Sequence, residues 1–209
     1  MTAWVKFCGC VSWNDAALSI DAGADAFGMI FAPSARRIAW GAAIDIARRL
    51  PESIEPVAVF VDPLNEEVDA VRRLFPNARL QFSGNEMPEF VAVFGDRAIK
   101  AIHVDREISP AGLEERCRSY PRATILFDSR SDGRPGGTGA PFAWKRVASI
   151  AARRRVVIAG GLAPENVAAC LRSVPTVGVD VRSGIETAGQ KDAAKMHAFV
   201  RAVRKADET

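Results

Sequence analysis

The sequence predicts a single closed (β/α)₈ barrel, and three observations support this prediction. Eight short runs rich in β-branched and aromatic residues alternate with amphipathic helical segments along all 209 residues. Most of the runs are almost continuously apolar, which is typical of parallel strands that are covered on both faces. No stretch has the composition of a linker, so one barrel domain over residues 1–209 is expected.

The eight predicted strands follow one another at regular spacing. An open doubly wound sheet is the alternative, but it usually carries a glycine fingerprint in its first turn, and Cys8-Gly9-Cys10-Val11 does not supply one. The barrel is therefore favoured. In chain order the predicted strands are Val5–Cys8, Ala26–Phe31, Pro56–Val61, Ala78–Phe82, Ala98–Ile102, Thr124–Phe127, Val156–Ala159 and Thr176–Asp180.

Three predicted helices have recognisable ends, and a fourth has a recognisable apolar face. Asn14–Ala22 starts at an N-cap-like Asn14 or Asp15 and stops before Gly23, and Asn65–Phe75 stops before Pro76. Pro164–Leu171 places a proline in its first turn. The last helix, Lys191–Lys205, carries an apolar stripe on one face, formed by Met196, Phe199, Val200 and Val203.

The composition restricts the partners of the chain. With 48% hydrophobic and 25% charged residues and a net charge of +3, it tolerates an anionic small molecule but lacks the basic face that nucleic acid requires. No apolar stretch is long enough to span a membrane, and the first residues do not resemble a secretory signal. Four cysteines without disulfide or metal spacing favour a reducing cytoplasm.

Two reactive side chains stand where predicted strands end. Cys8 ends the first strand and Asp128 follows the sixth, so both would face the catalytic mouth of a barrel. A thiolate and a carboxylic acid can act as a general base and a general acid. The alternatives are a small buried thiol for Cys8, and a turn former or helix cap for Asp128.

Two glycine turns follow the last two strands. Gly160-Gly161 comes after strand seven and Ser183-Gly184 after strand eight, and phosphate sites in such barrels are frequently built from these two loops. Arg36-Arg37, after strand two, is either a guanidinium fork for a carboxylate or a solvated surface pair. The loop 132–139 is either a lid over the ligand or a mobile segment.

The two histidines do not indicate a metal site. His103 and His197 have no carboxylate or cysteine at ligand spacing, and both are interpreted as structural or exposed. No metal is expected.

These motifs resemble the phosphoribosylanthranilate isomerase family over nearly the whole chain. Lys6-Phe7-Cys8-Gly9 is similar to the family's opening Lys-Ile-Cys-Gly, and Arg37 stands six residues beyond Phe31, where the family has its arginine. The most specific matches are residues 159–167 and 179–186, the latter followed by Lys191-Asp192. Asp128, with Gly136-Gly137-Thr138-Gly139, resembles the family's sixth strand and lid.

The resemblance implies a cofactor-free Amadori rearrangement of N-(5-phosphoribosyl)anthranilate in tryptophan biosynthesis. The sequence leaves the oligomeric state open between a monomer and a homodimer. It implies that Asp128 is the general acid and Cys8 the general base. Arg37 would hold the anthranilate carboxylate and Asp180 a substrate hydroxyl. The backbones at Gly160, Gly161, Ser183 and Gly184 would hold the phosphate.

The chain departs from the family pattern at four positions: Ser83 replaces a histidine, Ala140 a common lysine, Ala143 an aspartate and Arg182 a small polar residue. Arg182 either adds a phosphate contact or points away. The sequence leaves two alternative functions. Indole-glycerol-phosphate synthase would need lysines at strand ends, where this chain has Phe31-Ala32 and Val61-Asp62, whereas a non-catalytic phosphate-binding barrel would not need both Cys8 and Asp128.

Overall fold

The computed structural model confirms the predicted barrel, and it describes residues 2–105, 107–129 and 143–208. Eight parallel strands close on themselves in sequence order, and the first strand pairs with both the second and the eighth. The strands are β1 Trp4–Cys8, β2 Ala26–Ile30, β3 Glu55–Phe60, β4 Arg79–Phe82, β5 Ala98–Val104, β6 Thr124–Ser129, β7 Val156–Ile158 and β8 Gly178–Val181.

Helices cover the outside of the barrel. They are α1 Trp13–Asp21, α2 Trp40–Arg49, α3 Asn65–Leu74, α4 Pro88–Ala92, α5 Pro110–Arg118, α6 Ala148–Ala151, α7 Val167–Ser173 and α8 Ala193–Asp207. Short 3₁₀ turns lie at Gly95–Arg97, Trp144–Val147 and Ser183–Ile185. After β8 the chain forms a small hairpin of β9 Glu186–Thr187 and β10 Gln190–Lys191.

Three helix starts differ from the prediction. Ser12, not Asn14 or Asp15, caps α1 by accepting a hydrogen bond from the backbone N–H of Asp15. Helix α7 begins at Val167, beyond Pro164, because the Asn166 side chain first closes a turn with Gly161 and Ala163. Helix α8 begins after Asp192, whose carboxylate accepts from the N–H of Lys195.

The apolar side chains form an inner and an outer layer. Alternate strand residues such as Cys8, Val57, Ile99 and Leu126 fill the barrel interior. The residues between them pack outward against the helices, and the predicted stripe of α8 is buried in this outer layer. Within the described residues, none of the helices has the length and apolar character that a membrane crossing requires.

Candidate active site

Cys8 lies at the mouth end of β1 with its side chain directed into the barrel. Cys8 is 9% exposed and belongs to the interior layer of the barrel. The chain turns sharply after it, since Gly9 has a φ of +78°, in the left-handed region that favours glycine. This placement fits a base at the barrel mouth. It also fits the alternative of a buried thiol, so the surroundings of the sulfur have to distinguish them.

Lys6 and Asp180 surround that sulfur. Lys6 is fully buried on β1, and its Nζ lies 2.8 Å from Oδ2 of Asp180 on β8. Burial raises the pKa of the Cys8 thiol above its usual value, whereas the charge of Lys6 opposes this rise. The other Asp180 oxygen, Oδ1, is buried and has no hydrogen-bond partner among the described residues. An acceptor of this kind is suited to a ligand hydroxyl.

Asp128 lies on β6 next to His103 of β5, with which it is in register. Burial raises the pKa of the Asp128 carboxyl, and Asp180 adds to the rise, whereas His103, Arg182 and Lys6 oppose it. A carboxyl group that keeps its proton to higher pH than usual is suited to act as a general acid.

A chain of ion pairs fixes the backbone of Cys8. Lys191 of β10 donates a 2.6 Å hydrogen bond to the Cys8 carbonyl and lies 3.2 Å from Oε1 of Glu186. The other oxygen of Glu186 accepts from Arg36 at 3.1 Å, and Arg36 also donates to the carbonyl of Gly189. The hairpin after β8 therefore connects the end of β1 to the loop after β2. Arg36 is structural, and the solvated-surface alternative is wrong for it.

The two glycine turns lie against each other, as a shared phosphate site requires. A Cβ on Gly184 would lie 2.9 Å from the Cα of Ala163, so the loops after β7 and β8 meet backbone to backbone. Gly160 and Gly161 have φ values of +81° and +67°. Asn166 keeps their loop in shape, since it donates to the Gly161 carbonyl at 2.8 Å and accepts from Ala163 at 2.9 Å.

Arg37 and Arg182, the other two arginines that the sequence connects with ligand binding, have different surroundings. Arg37 is exposed beside the end of β2, and its side chain has no hydrogen-bond or ion-pair partner among the described residues. It is thus available to an anion. Arg182 lies over Gly9, where a Cβ would come within 3.3 Å of its Cδ, and its charge lowers the pKa of Asp128. Arg182 thus extends across the mouth.

Several polar residues of the site were not identified from the sequence. Lys6 and His103 face the mouth, whereas the sequence predicts a structural or exposed His103. Its buried Nδ1 has no partner among the described residues. Lys191 and Asn166 act through their hydrogen bonds. Ser83, which stands where the family has a histidine, accepts a 3.1 Å hydrogen bond from the Gln81 side chain inside the barrel.

Other predictions are not tested by the described residues. The predicted lid at 132–139, together with Ala140, lies outside them. Within the described part of the chain, no group of three or more histidine, cysteine or acidic side chains is arranged to hold a metal ion.

Known proteins match this chain over nearly its full length. A family model described as N-(5'phosphoribosyl)anthranilate (PRA) isomerase matches residues 5–202. A protein of Desulforudis audaxviator (strain MP104C), named N-(5'-phosphoribosyl)anthranilate isomerase, is 43% identical over 206 residues, covering 97% of this chain and 98% of its own.

Solved structures of phosphoribosylanthranilate isomerases are also similar to this chain over nearly its full length. The crystal structure of phosphoribosyl anthranilate isomerase from Thermotoga maritima is similar, with a TM-score of 0.87, 32% identity, and coverage of 97% of this chain and 99% of that one. A second crystal structure shows such an isomerase in complex with reduced 1-(o-carboxyphenylamino)-1-deoxyribulose 5-phosphate. It is similar with a TM-score of 0.83, 31% identity and the same coverage.

Proposed function

Since the chain belongs to the N-(5'-phosphoribosyl)anthranilate isomerase family, we propose that Cys8 and Asp128 perform its proton transfers. The enzyme converts N-(5-phosphoribosyl)anthranilate to 1-(2-carboxyphenylamino)-1-deoxyribulose 5-phosphate, an Amadori rearrangement in tryptophan biosynthesis. The observation that supports the assignment of roles is the contrast between the two groups at one mouth. Burial raises the pKa of both groups, so Asp128 can hold a proton to donate, whereas at Cys8 the charge of Lys6 opposes the rise and favours the thiolate that a base requires.

The reaction begins at the ribose ring. Asp128 donates its proton to the ring oxygen, the C1–O bond breaks, and the nitrogen lone pair forms an iminium ion with C1. The Cys8 thiolate then removes the proton from C2, and the electrons of that C–H bond neutralise the iminium. The resulting enolamine tautomerises to the ketone. Each group is expected to accelerate the reaction about 10²–10⁴-fold, which corresponds to roughly 3–5 kcal/mol of barrier.

The ligand is anchored at three places. Oδ1 of Asp180, which is buried and unpartnered among the described residues, accepts a hydrogen bond from a ribose hydroxyl. The backbone N–H groups around Gly160, Gly161, Ser183 and Gly184 bind the phosphate. Arg37 holds the anthranilate carboxylate by paired N–H donors, which its exposed guanidinium can supply.

The enzyme works as a single domain over residues 1–209 with one small phosphorylated substrate and no nucleic acid. Every proposed site residue comes from one barrel, so a monomer and a homodimer are equally competent. The proposed location is the cytoplasm, a reducing compartment that suits four unpaired cysteines.

A coupled fluorescence assay tests the function. N-(5-phosphoribosyl)anthranilate is generated in situ, and the loss of its fluorescence is followed with the wild-type protein and with Cys8→Ala. Turnover by the wild type alone is expected. A folded wild type that binds the product analogue without turnover would instead indicate a non-catalytic phosphate-binding barrel.

A further inference from the structure

We propose that Lys6 is a positioning residue for the catalytic base: its ammonium group, paired with Asp180, lies beside the Cys8 sulfur and favours the thiolate form against the burial of that sulfur. This inference rests on the proposed role of Cys8 as the general base. It assigns a function to a lysine that lies inside the barrel, where a positive charge is costly unless it is paired.

The backbone places Lys6 and Cys8 side by side. They are two residues apart on β1, so both side chains point into the barrel. Gly28 on the neighbouring strand β2 makes room for them. A Cβ on Gly28 would lie 2.9 Å from Cε of Lys6, 3.0 Å from Sγ of Cys8 and 3.1 Å from Nζ of Lys6. The ammonium and sulfur groups therefore occupy one slot in the wall of β2.

The hydrogen bonds of Lys6 leave capacity for the thiolate. An ammonium group has three donors, and Asp180 accepts one at 2.8 Å. Although burial works against the charged form of Lys6, Asp180 and then Cys8 outweigh it and raise its pKa, so the group stays cationic. The charged groups that act on the sulfur are thus Lys6 of β1, Asp180 of β8 and Lys191 of β10.

The second buried lysine shows what a purely structural pair looks like. Lys100 of β5 lies 2.6 Å from Oε2 of Glu86 and also donates to the carbonyls of Gly84 and Phe82, at 2.7 and 3.3 Å. Its hydrogen-bond partners are one carboxylate and two backbone carbonyls, and the centroid of the Tyr120 ring lies 5.6 Å from its Nζ. Lys6 differs because its second neighbour is a titratable nucleophile.

The test is a pH titration of the Cys8 thiolate in the free enzyme, read by ultraviolet absorbance with the spectrum of Cys8→Ala subtracted. The subtraction removes the signal of the other thiols, Cys10, Cys117 and Cys170, whose pKa values burial raises to about 12, 11 and 12. Lys6→Met is expected to move the Cys8 titration to higher pH because a cation is lost. Asp180→Asn is expected to move it to lower pH, since the carboxylate no longer competes for the ammonium group.

These opposite shifts separate the proposal from a structural role. If the pair only stabilises the barrel, both variants lower the melting temperature without opposite shifts of the titration, and the proposal is overturned. If Lys6→Met does not fold, Asp180→Asn decides alone, and a titration that is unchanged or moves upward overturns the proposal. Lys100→Met is the matched control and is expected to leave the Cys8 titration in place.

The kinetic readout follows from the titration. A tenfold smaller thiolate fraction in Lys6→Met lowers kcat about tenfold, which is within the loss expected for a weakened general base. The titration requires no substrate, so its outcome is distinguishable from a failure of the isomerase activity. An unchanged kcat in a Lys6→Met protein whose titration has moved upward would also overturn the proposal.

Discussion

Gly28→Ala is expected to damage the active site while leaving the backbone unstrained. Gly28 does not have a positive φ, so alanine is acceptable to its backbone. The new methyl group would meet Cε of Lys6 at 2.9 Å and Sγ of Cys8 at 3.0 Å, closer than carbon and sulfur normally approach. The side chains of Lys6 and Cys8 must therefore move.

The size of the effect follows from this displacement. Inserting one methyl group into a packed interior costs about 1–3 kcal/mol of unfolding free energy. A displacement of about 1 Å at a catalytic group can cost about 10²-fold in rate. We therefore expect Gly28→Ala to remain folded with kcat lowered by about two orders of magnitude.

Gly41→Ala is the matched control for this variant. Gly41 lies in helix α2, and a Cβ there would meet nothing within 4 Å. Alanine in a helix is more stable than glycine by up to about 1 kcal/mol, so this variant should gain stability and keep its kcat. Urea denaturation and steady-state turnover measure both effects. Wild-type stability and kcat in Gly28→Ala would refute the shared slot of Lys6 and Cys8.

Three further substitutions test individual contacts. Arg37→Ala should chiefly raise KM, because it removes a carboxylate ligand outside the proton transfers; a collapsed kcat with unchanged KM would contradict this role. His103→Ala removes a group that lowers the pKa of Asp128, so the limb of the pH–rate profile that reports Asp128 ionisation should move to higher pH, and a shift to lower pH would be inconsistent with the geometry. Lys191→Met removes the hydrogen bond to the Cys8 carbonyl and leaves one oxygen of Glu186 unpaired. We expect a loss of about 1–3 kcal/mol of unfolding free energy and a lower kcat. A denaturation midpoint equal to that of the wild type would count against the chain of ion pairs.

The sequence predicted the barrel because burial on both faces makes parallel strands almost continuously apolar. Every predicted strand is present, with ends that coincide with the prediction or differ from it by at most two residues. The displacements have physical reasons. The last strand begins at Gly178 rather than Thr176, because the Thr176 hydroxyl bonds the carbonyls of Val156 and Gly178 instead of extending the ladder. Pro164 precedes its helix since Asn166 stabilises a separate turn.

The candidate site could be predicted in part. Cys8 and Asp128 are reactive groups at strand ends, where barrel chemistry is expected, whereas the role of Asp180 followed only from the family resemblance. His103 was missed because the predicted strand ended at Ile102, whereas β5 continues to Val104 and its two-residue period turns the imidazole inward.

Other site residues carried weaker signals. Lys6 was a polar residue in an apolar strand, two positions before Cys8, and this spacing could have indicated a partner. Lys191 had no local signal, since its contact with Cys8 joins residues 183 positions apart.

The most direct test of the central claim is the turnover of Cys8→Ala, Asp128→Asn and the double variant, with binding of the reduced product analogue measured in parallel. Each single variant is expected to lower kcat at least a hundredfold while binding stays near that of the wild type. The double variant should lose less than the product of the two single effects, because the groups act in one sequence of proton transfers. Near-wild-type kcat in both folded single variants would contradict the assignment of Cys8 as base and Asp128 as acid.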